Sequence, residues 1–256
     1  MIVVTRIKID KVYKAGNFPN LEFEYDLDSV RPAWIHIKDN KFNARFLSVS
    51  TDKDSGIIYK RFTGNFYYPV DLVIKKEEEN KFYDKYAQFY DRNTARNNIP
   101  MAQQLIDKMI KYNIDKNANI LDLGAGTGIF SELAIKNGFT NITLLDIYRS
   151  MLDVAKNKPL LKNSNFIEGD VKKVLLINNY DVFVSVMMFD ALDDEQLKVA
   201  LDNIVPHLNM NGYIFLVEDK EREIYKNYFS ILESGVFDIS KIDKFQKFYL
   251  VAQNVN

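Results

Sequence analysis

Ile120-Leu121-Asp122-Leu123-Gly124-Ala125-Gly126-Thr127-Gly128 is an apolar run that closes on glycines at alternate positions and then passes into a helical pattern. It reads as a strand delivering its backbone to a ligand. The glycines permit dihedrals closed to other residues, and without side chains they let a bulky group lie directly on the main chain. That is the character of a nucleotide-type site. Asp122, at the carboxyl end of the run, is a carboxylate that can meet a cationic ligand group or orient a water before it.

Surface turns also use glycine, so the spacing downstream has to support the reading. Asn141-Ile142-Thr143-Leu144-Leu145-Asp146 is a second short apolar segment ending in an acid. Its separation is that at which a βαβ unit sets a carboxylate on a ribose diol. Asn165-Phe166-Ile167-Glu168-Gly169-Asp170-Val171 is a third segment of this kind. There Asp170 can accept from an exocyclic amine such as that of adenine, and Val171 can offer its N–H to a ring nitrogen. Turn, diol acceptor and base reader follow one another in the order of one extended adenosine ligand.

Together with Ser150-Met151-Leu152 after Asp146, and Asn211-Gly212-Tyr213-Ile214 entering a late strand, these segments resemble the class I S-adenosylmethionine-dependent methyltransferases, from roughly Lys81 to the C-terminus. The resemblance implies a doubly wound, mostly parallel seven-stranded α/β sheet of Rossmann-like type that binds S-adenosylmethionine. It implies that Gly124 and Gly126, with Ala125 between them, pack against the methionine portion, with Asp122 close by. Asp146 would bind the ribose, Asp170 and Val171 would read the adenine, and Ile147 and Met151 would line the base pocket. Tyr148-Arg149 departs from the family, which commonly has small or polar residues there.

A nicotinamide dehydrogenase also pairs a glycine turn with an acid after the second strand. Its fingerprint is Gly-x-Gly-x-x-Gly, however, whereas the glycines here fall at 124, 126 and 128, and Gly169-Asp170 has no place in it.

The 256 residues allow one large domain or two modest ones, and 34 basic against 35 acidic side chains leave no global field for gripping a polyanion, so nucleic acid is unsupported. With no cysteine and only His36 and His207, disulfides, thiolate zinc sites and a histidine-rich metal site are ruled out, and no metal is expected. His36 is expected on the polar face of a strand and His207 at a helix end. No signal-peptide pattern or apolar run of membrane-spanning length is present, which makes a cytoplasmic protein the expectation.

Residues 1–77 read as a small antiparallel β domain, with short strand-like runs at Ile2 to Ile9, Leu21 to Asp26, Trp34 to Lys38, Phe42 to Val49, Gly56 to Phe62 and Phe66 to Ile74. Residues 78–256 read as the cofactor domain. Lys75 to Asn80 is a charged junction or the first turns of a helix. From Lys81 a helical pattern carries Phe82, Tyr86 and Phe89 on one face. This aromatic stripe packs on the sheet or folds over the ligand crevice. Tyr83 to Asp91 is also similar to the Tyr-Asp-x-x-Ala-x-x-Tyr-Asp segment of many small-molecule methyltransferases, which makes Tyr83 and Tyr90 candidate cofactor contacts. Arg92 and Arg96 are solvated or pair with the methionine carboxylate. A helix from Pro100 to about Tyr112, regular βα alternation through Asp219, a helix over Glu221 to Glu233 and a closing hairpin complete the expected order.

Methyl transfer from a sulfonium is an in-line displacement in which positive charge disappears, so alignment and water exclusion matter more than acid/base groups. The acceptor is expected where Val184 to Asp190 end the fourth strand. By resemblance Met187 flanks the cofactor, and Asp190 faces the acceptor as the candidate catalytic residue, holding or removing a proton. The alternative for Asp190 is a helix cap or a solvent-facing acid. An Asn/Asp-Pro-Pro-Tyr segment, by which enzymes that methylate the exocyclic amine of a base or the amide of a glutamine resemble one another, is absent here. Asp193-Asp194 reads as a helix N-terminal charge pair.

The expected partner is a small-molecule or peptide acceptor methylated on oxygen or nitrogen, and homodimerisation stays open. The alternatives are a protein or RNA methyltransferase that uses the β domain as reader, and a non-catalytic S-adenosylmethionine-binding module.

Overall fold

A computed structural model describes residues 4–5, 34–35, 45–46, 59–63, 66–69, 76–219, 221–237 and 247–254. The chain divides into two compact units, Met1–Phe89 and Tyr90–Asn256. In the first unit β1 (Val4–Thr5) pairs antiparallel with β2 (Trp34–Ile35). β3 (Arg45–Phe46), β4 (Tyr59–Thr63) and β5 (Phe66–Pro69) form an antiparallel sheet in the order β3-β5-β4. The strand expected at Leu21 to Asp26, and His36, lie outside the described residues.

Helix α1 (Lys76–Lys111) runs from the first unit into the second with Pro100 inside it. The charged stretch after Lys75 is therefore its first turns, and the separate helix expected from Pro100 is a correction. Proline lacks one ladder N–H and disfavours helical geometry in the residue before it. Here Met101, Ala102, Leu105, Ile106 and Met109 are all buried beyond it. Burying each large side chain is worth roughly 1.5–3 kcal/mol, enough for the helix to continue through one lost hydrogen bond.

The second unit is built on a seven-stranded sheet. Its strands are β6 (Asn119–Leu123), β7 (Asn141–Asp146), β8 (Asn165–Glu168), β9 (Tyr180–Val186), β10 (Leu208–Glu218), β11 (Ser230–Phe237) and β12 (Lys247–Gln253). Their order is β11-β12-β10-β9-β6-β7-β8. The run from β10 to β8 is parallel, and β12 is antiparallel to both of its neighbours. The sheet is the expected doubly wound one, with an antiparallel strand inserted at its end.

Side chains alternate between two layers, as a sheet covered on both faces requires. Ile120, Val182, Val184, Phe215 and Val217 pack with α1, α2 (Ile129–Lys136) and α3 (Arg149–Lys156). Leu121, Leu123, Phe183, Ile214 and Leu216 pack with Leu197, Ala200, Leu201 and Ile204 of α4 (Asp194–Ile204). Asp193 caps α4 in a reciprocal box with Gln196, so the Asp193-Asp194 pair does mark a helix start. His207 lies in the short 3-10 turn Val205–His207 that follows α4.

Two expected helices give way to extended chain. The link between β8 and β9 carries none: Val174 and Leu176 turn inward while Leu175 and Ile177 are 83% and 84% exposed, a period-2 pattern. Asn203 donates to the Val171 and Val174 carbonyls of this link at 3.0 Å. The helix expected over Glu221 to Glu233 is a 3-10 turn, Glu223–Asn227, followed by β11. β11 is one of the two edge strands of this sheet among the described residues, and its register with β12 slips between Ile231 and Glu233, leaving Leu232 as an extra residue.

Candidate active site

The chain leaves β6 for β7 and β8 on one side, then returns to place β9 on the other side of β6. Ligands of open α/β sheets bind outside the carboxyl ends of the strands at such a reversal. The glycine turn after β6 and the Met187–Asp190 segment after β9 both stand there.

Gly124, Gly126 and Gly128 take φ values of +67°, +56° and +79°, in the left-handed region that side chains resist. A Cβ on Gly124 would lie 2.2 Å from Met188 Cγ, and one on Gly128 would lie 2.6 Å from Leu161 Cδ1. One on Gly126 would lie 3.4 Å from Met151 Cε and 4.0 Å from Tyr90 Cε1. Ala125 donates its N–H to the Leu145 carbonyl at 2.9 Å, tying the turn to β7.

Asp146, at the end of β7, is 7% exposed. Its carboxylate accepts the N–H of Gly126 at 2.8 Å and that of Tyr148 at 2.8 Å. Burial pushes its pKa up to about 6, against the lowering effect of the Tyr148, Gly126 and Ile147 N–H groups. Asp122 is 2% exposed and accepts from Ser131 Oγ of α2 at 2.6 Å. Burial pushes it to about 7, with Ser131 opposing and the charge of Asp146 adding to the rise. Asp122 is thus a buried acid tied to α2 and close enough to Asp146 to feel its charge.

Tyr90 is half-buried, and its hydroxyl accepts from Asn98 Nδ2 at 3.3 Å. Its pKa is raised, chiefly by burial, with Asn98 opposing and the nearby Asp146 charge contributing. Tyr90, Gly126, Asp146 and Met151 therefore stand together. Tyr83 is a half-buried residue of α1 and belongs to the first unit. Arg92 and Arg96 are exposed. Ile147 is half-buried beside Asp146, and Met151, 3% exposed, lies on the first turn of α3.

Asp170 closes a local turn, its Oδ1 accepting the Lys172 N–H at 3.0 Å, and Val171 beside it is 8% exposed. Across the reversal, Met187 takes a φ of +62° and donates its N–H to the Val217 carbonyl at 2.8 Å. Left-handed geometry in a non-glycine residue is costly and gathers at ligand sites. Asp190 lies in a 3-10 turn, and both of its carboxylate oxygens stand 3.1 Å from the Asp219 N–H. The cap of α4 is Asp193, not Asp190.

A buried set that sequence patterning did not single out sits behind this edge. Glu218, fully buried at the end of β10, accepts from Tyr225 Oη, and Arg222 Nε stands 3.3 Å from its other oxygen. Arg222 also donates to the Leu192 carbonyl at 2.9 Å and the Phe189 carbonyl at 3.2 Å, fastening the segment that carries Asp190. Burial raises Glu218 to about 8, with Tyr225 opposing and Asp190 adding. The one local signal is the polar spacing Glu218, Arg222, Tyr225 where a helix was expected. Among the described residues no group of three or more acidic, histidine or cysteine side chains could hold a metal ion. No described helix is long and apolar enough to cross a membrane.

Residues 120–212 match the Methyltransferase domain family. The malonyl-[acyl-carrier protein] O-methyltransferase of Bacillus anthracis is 33% identical over 135 residues, covering 52% of this chain and 46% of that protein. The chain thus spans about half the length of the curated relatives it matches. Among solved structures, the N-methyltransferase NodS from Bradyrhizobium japonicum in complex with S-adenosyl-L-homocysteine superposes with a TM-score of 0.54 at 16% identity, over 61% of this chain and 87% of that one. A S-adenosylmethionine-dependent methyltransferase from Clostridium acetobutylicum gives 0.55 at 15% identity, over 68% and 100%. These two likenesses bear on the fold, which is the Rossmann-like class I methyltransferase sheet.

Proposed function

We propose that this chain, which carries a class I S-adenosylmethionine-dependent methyltransferase domain, transfers the methyl group of that cofactor to an oxygen or nitrogen of a small molecule or peptide. The observation that carries the reading is the Asp146 carboxylate, held at the end of β7 by the N–H groups of Gly126 and Tyr148, beside a turn whose glycine faces side chains would fill. A carboxylate offers about four acceptor positions, which these N–H groups do not exhaust, so a ribose diol fits the same acid. The bound cofactor supplies an electrophilic methyl group.

This chain's residues do the rest. Gly124, Ala125 and Gly126 would hold the methionine portion with Tyr90 and Met187 at its flanks, and Tyr83 is a further candidate contact. Ile147, Met151, Asp170 and Val171 would take the adenine. Asp122, buried and tied to Ser131 Oγ of α2, would hold the turn in place beneath the ligand. Asp190, fastened to the Asp219 N–H and set on the Phe189–Ala191 turn that Arg222 secures, would hold or accept a proton of the acceptor. The named reaction of the malonyl-[acyl-carrier protein] relatives favours oxygen over nitrogen as the acceptor atom.

Calorimetry with S-adenosylmethionine, then incorporation of radiolabelled methyl into pools of carboxylic acids, acyl thioesters, amines and peptides, tests the reading. Saturable binding and a labelled carboxyl ester are expected. No binding to the intact chain would overturn the cofactor assignment, and binding with every pool unlabelled would favour a non-catalytic module.

A further inference from the structure

The Tyr-Asp pair that ends the aromatic segment of α1 has a partner for each member, Asn98 for Tyr90 and Thr127 for Asp91. Asp91 reaches into the glycine turn itself. Its Oδ1 accepts from Thr127 Oγ1, and Thr127 is fully buried between Gly126 and Gly128. Its Oδ2 lies 2.6 Å from Lys158 Nζ, whose second carboxylate neighbour is Glu132 of α2 at 3.1 Å. The Lys158 side chain is 14% exposed and its ammonium nitrogen is sealed from solvent. One buried cation, two residues past the end of α3, thus links α1 to α2, and Asp91 carries the tie on to the glycine turn.

We infer that Asp91 is a positioning residue for the cofactor, latched by Lys158, that fixes the register of α1 against the glycine turn and so sets Tyr90 over Gly126 and Asp146. The inference rests on the cofactor reading above. Asp91 and Tyr90 are adjacent, so a shift of α1 along the turn that breaks the Asp91–Thr127 bond also moves the tyrosine ring. Asp91 does not act on the ligand itself. Its effect belongs in the binding constant, since a register error weakens the preformed site before any chemistry begins. The ion pair is partly exposed, with Asp91 at 38%, so salt screens it. Affinity for a ligand that makes few net ionic contacts then becomes salt-dependent through the latch.

The experiment is titration calorimetry of the full chain with S-adenosylhomocysteine as the probe, at ionic strengths from about 0.05 to about 0.5 M. The variants are Asp91→Asn, Lys158→Gln, their double, Thr127→Ser and Thr127→Val. Asp91→Asn and Lys158→Gln are each expected to raise Kd about tenfold, and the double by little more than either, which is the signature of a coupled pair. Thr127→Ser keeps the hydroxyl and should bind as the parent does, while Thr127→Val should weaken. The parent should loosen a fewfold across the salt range, and Asp91→Asn should lose that dependence. A general packing defect would move the melting temperature but would not produce Ser rescue or a flattened salt slope. If the parent binds while Asp91→Asn matches it in Kd and salt slope, the latch is overturned and the cofactor reading stands. If the parent itself fails to bind, the cofactor reading falls and the latch's part in binding falls with it.

Discussion

Asp146 and Glu218 are both buried acids at the carboxyl ends of parallel strands in one sheet, and burial raises the pKa of both. Their partners separate them. Asp146 is held by main-chain N–H groups of the glycine turn, which fix its position and leave acceptor capacity toward the crevice. Glu218 is met by side chains, Tyr225 and Arg222, and has no exposed surface at all. A carboxylate oriented by backbone is available to a ligand, whereas one enclosed by side chains is a structural tie. The same residue chemistry at the same sheet edge is thus held open by backbone in one place and enclosed by side chains in the other.

Removing each acid should break this contrast in opposite directions. Glu218→Ala leaves Arg222 and Tyr225 buried without their partner, and denaturant unfolding should show a loss of about 3–5 kcal/mol. Asp146→Ala should cost on the order of a hundredfold in S-adenosylmethionine affinity, read by calorimetry, since two charge-assisted hydrogen bonds go, with a much smaller change in unfolding.

pH sharpens the comparison further. A carboxyl raised on folding binds its proton more tightly in the native state, so its stabilising contribution is complete below its unfolded pKa and is lost as pH rises through the folded one. Unfolding free energy should therefore decline as pH rises from about 4.3, the ordinary glutamate value. For Glu218 the loss extends through about 8, and Glu218→Gln should flatten much of it. Cofactor affinity should move the other way, strengthening as pH climbs through about 6 and Asp146 ionises, with Asp146→Asn flat across that range.

Smaller effects follow from the partners. Tyr225→Phe removes one buried hydrogen bond to Glu218 and should cost about 1 kcal/mol of stability while leaving cofactor affinity unchanged. At the far edge, Lys108, Lys111 and Tyr249 gather on Glu233 of β11. This network is partly solvated, so Glu233→Gln should cost only about 0.5–1 kcal/mol, and less in high salt.

The strands that lead to Asp146 and Asp170 were legible because the features that mark them are local: each is a short apolar segment that closes on an acid, downstream of a glycine turn. The doubly wound sheet was legible for the same reason. Pro100 was misread because proline punctuates a helix locally, while the burial of Leu105 and Ile106 that carries α1 onward is a tertiary effect. The span Glu221 to Glu233 was misread as helix because its apolar residues suit either period, and pairing with β12 decides in favour of the strand. Glu218 with Tyr225, and Asp91 with Lys158, are matched by folding rather than by sequence spacing, and neither pair carries a motif. The role of residues 1–77 rests on their alternation alone.

The extra residue in β11 has a bearing on how this protein behaves when crowded with copies of itself. Leu232 and Val236 are 42% and 50% exposed on this edge strand, which without interruption would offer a straight, sticky template to another chain. The slip at Leu232 twists that border and spoils its hydrogen-bonding rhythm. Deleting this one leucine would restore a flat ladder, and aggregation during refolding, rather than any change at the glycine turn, is where the difference would surface.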